Sequence, residues 1–215
     1  MRIVAIYNIP NNIYINMYKV GITGGIGSGK SVVTTMLQDR GVAVYFSDAR
    51  AKEIMSSDEG VRLSLVERFG EQTFEAGVLN RAYLAERVFA SEEELKALNA
   101  IVHPAVKADF ERWAEAQSGD YVVLESAILF ESGFDAVVDI AVAVMAPEEL
   151  RIERVMARDG VTREQVVERM RHQLSDEERC SRSKYAIVNI ELDELEEDVE
   201  QLHRRLSYDS RQQHS

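Results

Sequence analysis

Eight consecutive residues, Gly24-Gly25-Ile26-Gly27-Ser28-Gly29-Lys30-Ser31, follow the order G-x-x-x-x-G-K-[ST]. Each residue type suits the handling of an anion. Glycines let a backbone take positive φ and approach a ligand closely. Successive amide N–H groups then turn inward as a nest, and a following helix adds its partial positive charge. An amine at position 30 can reach terminal phosphates, and a hydroxyl at 31 can ligate magnesium bridging them. Gly25 through Val32 are therefore the expected nucleotide-binding residues, with ATP and Mg2+ as the expected ligands. The loop alone does not say what receives the phosphate.

The elements around the loop agree with this chemistry. The apolar run 18–23 reads as a strand, and 32–38 reads as a helix closed by Gly41. Residues 42–46 read as a second strand, with Asp48 just past its carboxyl end, the edge where open α/β sheets bind ligands. A carboxylate there is either a general base for an attacking hydroxyl, with a share in holding magnesium, or the N-cap of a helix over 49–55. From about 57 to 118 the pattern is helical, including a capping box at Ser91–Glu94 and a break at His103-Pro104. Sixty helical residues exceed what a crossover requires, so 57–118 is expected to be an inserted acceptor-binding subdomain. Strands follow at 121–125, 139–145 and 186–188, and 193–206 closes the chain as an amphipathic helix. On its own, His103 reads as a helix-end residue, and Glu125 and Glu131 have no assigned role.

Residues 151–184 hold nine Lys or Arg, eight of them Arg, against seven acids, in a chain whose net charge is −12. Planar guanidinium groups match phosphate oxygens, and capping boxes at Thr162–Gln165 and Ser175–Glu178 predict a helical hairpin. Any single one of these arginines reads as part of an ion-paired, solvated helix face, whereas the segment as a whole reads as a phosphate-clamping lid, with 161–183 as the expected lid. The rest of the chain is strongly acidic, which argues against a broad nucleic-acid surface. The single cysteine, Cys180, excludes an intramolecular disulfide and fits a reducing cytoplasm. No apolar run approaches the roughly 18 residues a membrane span needs. Residues 1–16 lack the layout of a signal peptide and are expected to be an extension before a start at Met17, or else an extra edge strand at 3–7. Residues 208–215 are expected to fray. No oligomeric state follows from the sequence.

Several stretches together resemble the dephospho-coenzyme A kinase family. They are the loop at Thr23–Ser31, Leu98-Asn99 followed by His103-Pro104, and Ile128-Leu129-Phe130-Glu131. Arg154, Arg158-Asp159, Thr162-Arg163-Glu164, Arg169 and Gln173 follow the family's lid pattern. The likeness extends from about Met17 to Leu206. It departs at Phe46, where the family has a first Asp before that matched by Asp48. It departs again at Ala127, at Ser183-Lys184 and at Ile190. The resemblance implies an α/β P-loop fold, with a five-stranded parallel sheet in order 2-3-1-4-5. A helical acceptor insertion and a helical lid would complete a single domain over 17–207, its core being 17–56, 119–160 and 184–207. It implies ATP-dependent phosphorylation of the ribose 3′-hydroxyl of dephospho-coenzyme A. Asp48, Lys30 and Arg154 would be catalytic. Arg158 and Asn189 would lie on the nucleotide, and Asp48, His103, Leu129, Glu131 and Arg163 on the acceptor. Another small-molecule or nucleoside kinase, or a non-catalytic ATP-dependent switch, would share the loop and differ in the use made of the bound nucleotide.

Overall fold

The computed structural model describes residues 17–213; the readings made for residues 1–16 lie outside them. β1 (Tyr18–Thr23) enters the phosphate loop, which opens α1 (Lys30–Asp39). β2 (Ala43–Phe46) runs directly into α2 (Ser47–Ser57), followed by α3 (Glu59–Phe69). A small hairpin, β3 (Phe74–Glu75) and β4 (Val78–Leu79), precedes α4 (Arg81–Ala90) and α5 (Glu92–Glu115). β5 (Tyr121–Glu125) and β6 (Ile140–Met145) return to the sheet. α6 (Glu148–Asp159), α7 (Arg163–Arg171), α8 (Asp176–Ser181), β7 (Tyr185–Val188) and α9 (Leu192–Gln213) complete the chain.

The main sheet is β2-β5-β1-β6-β7, and every pairing in it is parallel. With the hairpin set aside, this is the order 2-3-1-4-5. Parallel strands covered on both faces must be apolar throughout, as β5 is. Its alternate residues serve different layers. Tyr121 and Val123 face α1 and α9 with Val33, Leu37, Leu195 and Val199, while Val122 and Leu124 face the helical insertion with Leu65, Val106 and Phe110. The loop between β1 and α1 and the carboxyl ends of β2 and β5 thus share one edge of the sheet.

Four expectations are corrected. Pro104 does not break its helix: α5 continues through it for 24 residues. The bond lost at Ala100 is outweighed by Val102, Val106, Phe110 and Ala114, a buried row at i, i+4 spacing. Residues 57–118 are not wholly helical, because the hairpin interrupts them with Ala76 and Gly77 at positive φ. The Ser91 box is half formed: Ser91 caps the Glu94 amide, but the Glu94 carboxylate pairs with Arg68 at 3.2 Å instead of reaching back. The expected fraying from 208 is not observed up to Gln213, since α9 continues and Ser210 is buried where it donates to the Asp120 carbonyl.

Candidate active site

The loop owes its glycines to two different requirements. Gly27 and Gly29 take φ of +80° and +89°, which side chains resist. Gly24 and Gly25 do not; they are glycines because the protein crowds them. A Cβ on Gly24 would lie 2.3 Å from the Val144 carbonyl oxygen, and one on Gly25 would lie 2.1 Å from the Arg151 guanidinium.

The amides of Gly27, Gly29, Lys30 and Ser31 have no hydrogen-bond partner among the described residues. Those of Ile26 and Ser28 are taken by Gln173 Oε1 and the Gly25 carbonyl. The open amides therefore form a run of donors at the start of α1, the arrangement that receives a phosphate. A cavity of about 250 Å3 lies against them, lined by Gly27, Gly29, Lys30, Ser31, Glu125, Arg154, Val155 and Arg158. Lys30 Nζ donates to the Gly24 carbonyl at 2.8 Å, and burial lowers its pKa. Among the described residues the exposed Ser31 hydroxyl has no partner, while that of Ser28 is buried without one. Open amides, a lysine and a free serine hydroxyl fit a magnesium-bound triphosphate.

Two carboxylates act on Lys30. Asp48 lies in the first turn of α2, exposed and making no capping bond, so the helix-cap reading fails; Phe46 occupies the cap position. Glu125 ends β5 and sits in register with Phe46 on one side and Ile22 on the other. Burial pushes the Glu125 carboxyl up, with Lys30 opposing and Asp48 reinforcing. A second acid at the level of Phe46 therefore exists, supplied by the neighbouring strand. Sequence reading left Glu125 without a role because only the β2–β5 register brings it to the loop.

The cations divide sharply. Arg154 donates to the carbonyls of Asn189 (3.1 Å) and Ile190 (3.2 Å) and has no carboxylate partner among the described residues, so its charge is uncompensated at the cavity. Arg158 lines the cavity but binds Asp159 at 2.7 Å. Arg163 is not brought to the site; it forms a forked pair with Glu149, both bonds 2.7 Å. Arg169, Arg171, Arg182 and Lys184 pair with Asp159, Glu168, Asp135 and Asp209. Every arginine of 161–183 is thus held in an ion pair, and none of them lines this cavity. Asn189 is also used internally: buried, it donates to the Ser28 carbonyl at 2.9 Å.

On the acceptor side, Leu129 is fully buried against Gly21 and belongs to the core, correcting its assignment to a ligand surface. Glu131 accepts the Leu174 amide at 3.1 Å. His103 lies one helical turn before Lys107 on α5, its ring 5.4 Å from that of Phe134. Burial and Lys107 lower the His103 pKa, while the Asp48 charge opposes them. Lys107 approaches the Phe134 ring at 5.7 Å and has no carboxylate partner among the described residues. Sequence reading missed it. Asp109 ties this helix to the one carrying Asp48, accepting from Arg50 at 2.8 Å and Tyr45 at 2.7 Å. A larger cavity, about 790 Å3, lies at the opposite edge of the sheet, and its Arg40 and Arg211 are paired with Glu200 and Asp120.

Residues 18–194 match the family model described as dephospho-CoA kinase. A dephospho-CoA kinase of Bacteroides fragilis is 46% identical over 172 residues, covering 80% of this chain and 84% of the relative. One from Salinibacter ruber is 45% identical over 177 residues, covering 80% and 89%. A crystal structure of a Thermus thermophilus protein superposes with a TM-score of 0.78 at 36% identity, covering 89% of this chain and 98% of that one.

Proposed function

The chain belongs to the dephospho-CoA kinase family, and we propose that it moves the γ-phosphoryl group of ATP to the ribose 3′-hydroxyl of dephospho-coenzyme A, giving coenzyme A and ADP. The observation that carries this reading is the meeting at one sheet edge of four open loop amides, an unneutralised Arg154 and two carboxylates acting on Lys30. Phosphoryl transfer needs positioning and charge neutralisation more than covalent chemistry.

In this account Gly27, Gly29, Lys30 and Ser31 hold the β- and γ-phosphates. Arg154 faces the charge that develops on the transferring group, as a cation already fixed by carbonyls and needing no reorganisation. Arg158 lines the same cavity. Asp48 accepts the proton of the attacking hydroxyl. Ser31 would hold magnesium, with Glu125 and Asp48 as the acids available to it, and the ion would supply positive charge against the phosphates. Glu125 thereby takes the place left by Phe46. His103, Lys107 and Glu131 border the acceptor, with Lys107 the cation for a diphosphate-bearing molecule. No described helix is long and apolar enough to cross a membrane, and the reading is of a cytoplasmic enzyme acting on charged nucleotides.

The test is a panel of acceptors with Mg-ATP, read as ADP release and by mass of the product. Dephospho-coenzyme A should be phosphorylated in preference to nucleosides. Preference for a nucleoside, or ATP hydrolysis without a phosphorylated product, would overturn the reading.

A further inference from the structure

One residue of the loop is held at both of its backbone polar groups. The Ile26 amide donates to Gln173 Oε1 at 2.8 Å, and the Ile26 carbonyl accepts from Arg151 Nε at 3.0 Å. The two grips come from different segments. Arg151 stands in the first turns of α6, and Gln173 in the connection between α7 and α8. They are cross-linked in turn. Arg151 pairs with Asp176 at 2.8 Å, and the other Asp176 oxygen accepts from Arg179 at 3.0 Å. Both arginines are buried, at 6% and 1% exposure. Gln173 is followed by Leu174, whose amide is held by Glu131. A continuous polar chain thus runs from the loop through the α7–α8 connection to the acceptor side.

A glycine-rich loop loses much conformational freedom when it closes on an anion. Fixing both polar groups of one residue at its centre removes part of that loss before the nucleotide arrives. It also turns the Ile26 amide away from the phosphate and leaves the next donors, 27 and 29 to 31, converging. We propose that Gln173, together with Arg151, is a positioning residue for the nucleotide half of the site, and that the α7–α8 connection is a brace for the loop. The inference rests on the reading that this loop binds ATP, and it concerns residues that touch the loop and not the substrate.

Gln173→Met keeps the length of the side chain and removes its carbonyl. The variant is expected to raise KM for ATP roughly fivefold to tenfold, the loss of about one well-placed hydrogen bond. Its kcat and the acceptor KM should stay within about twofold of the parent. In the free parent the Ile26 amide should exchange its proton slowly, and in the variant quickly. An unchanged KM for ATP, fast Ile26 exchange in the parent, or a fall in Tm with equal losses in both KM values would each overturn the brace. Nucleotide titration without acceptor separates the two claims. A parent that binds no ATP defeats the functional reading, whereas a parent that binds it alongside an equally tight Gln173→Met defeats only the brace.

Discussion

The two halves of the candidate site are built differently. On the nucleotide side the framework of the loop is held while its donors stay open: Gly24 and Gly25 are packed against Val144 and Arg151, Ser28 is tied to Asn189, and Ile26 is gripped on both polar atoms. On the acceptor side the functional groups stand apart. Asp48 is exposed and makes no capping bond, and the contacts of His103 and Lys107 are with the Phe134 ring. The difference follows from chemistry. A triphosphate presents the same oxygens each time, so a rigid cradle suits it, and electrostatic stabilisation works best when donors need not reorganise. The proton acceptor must instead meet a hydroxyl delivered by the second substrate, and its hydrogen-bonding capacity has to be left open for that encounter.

The contrast can be broken most severely at Gly29. Gly29→Ala places a Cβ 1.9 Å from Asn189 Nδ2 at a φ of +89°. It is expected to lower ATP affinity by more than about 100-fold, since strain and a displaced loop act together; calorimetric titration with ATP measures this. Next comes Arg154→Met, for which kcat should fall by roughly 100-fold, the scale of one preorganised transition-state donor. Its KM for the acceptor should be unchanged in steady-state assays. Lys107→Met should act only on the other half, raising the acceptor KM roughly tenfold, the scale of a hydrogen bond to a charged group, with KM for ATP unaffected.

The smallest effect concerns how the acceptor half is anchored. Burial pushes the Asp109 carboxyl up, but hydrogen bonds from Tyr45 and Arg50 outweigh it and leave the pKa below the usual value. A depressed folded-state pKa contributes stability above the unfolded value, about 4, and loses it as pH falls through the lower folded value. Asp109→Asn should therefore lower Tm at pH 7, and the two melting curves should converge on acidification below about pH 4. A difference that persists unchanged in acid would remove this ion pair as the anchor of α2.

The nucleotide half was legible because it is local. Eight contiguous residues carry it, and strand and helix periodicity on either side put it at a sheet edge. The sheet order was legible through the family resemblance. The features that escaped depend on tertiary placement. Glu125 acquires its role from strand register, Leu129 loses its role to packing on Gly21, and Arg163 is diverted to Glu149, which lies 14 residues away. Counting arginines in 151–184 revealed a basic segment but not which of them would be neutralised. Arg154 is distinguished because among the described residues it meets only carbonyl oxygens, those of Asn189 and Ile190 just past the end of β7. Pro104 misled for a related reason: a local helix breaker was overridden by a buried face.

The central claim is that a prebuilt nucleotide half is served by a separate proton acceptor, Asp48. Asp48→Asn measures it most directly, with turnover of dephospho-coenzyme A and equilibrium ATP binding determined on the same protein. Turnover is expected to fall by about 100-fold or more, the range of general-base catalysis, while ATP binds as in the parent. Unchanged turnover, or a loss of ATP affinity equal to the loss of turnover, would contradict the account.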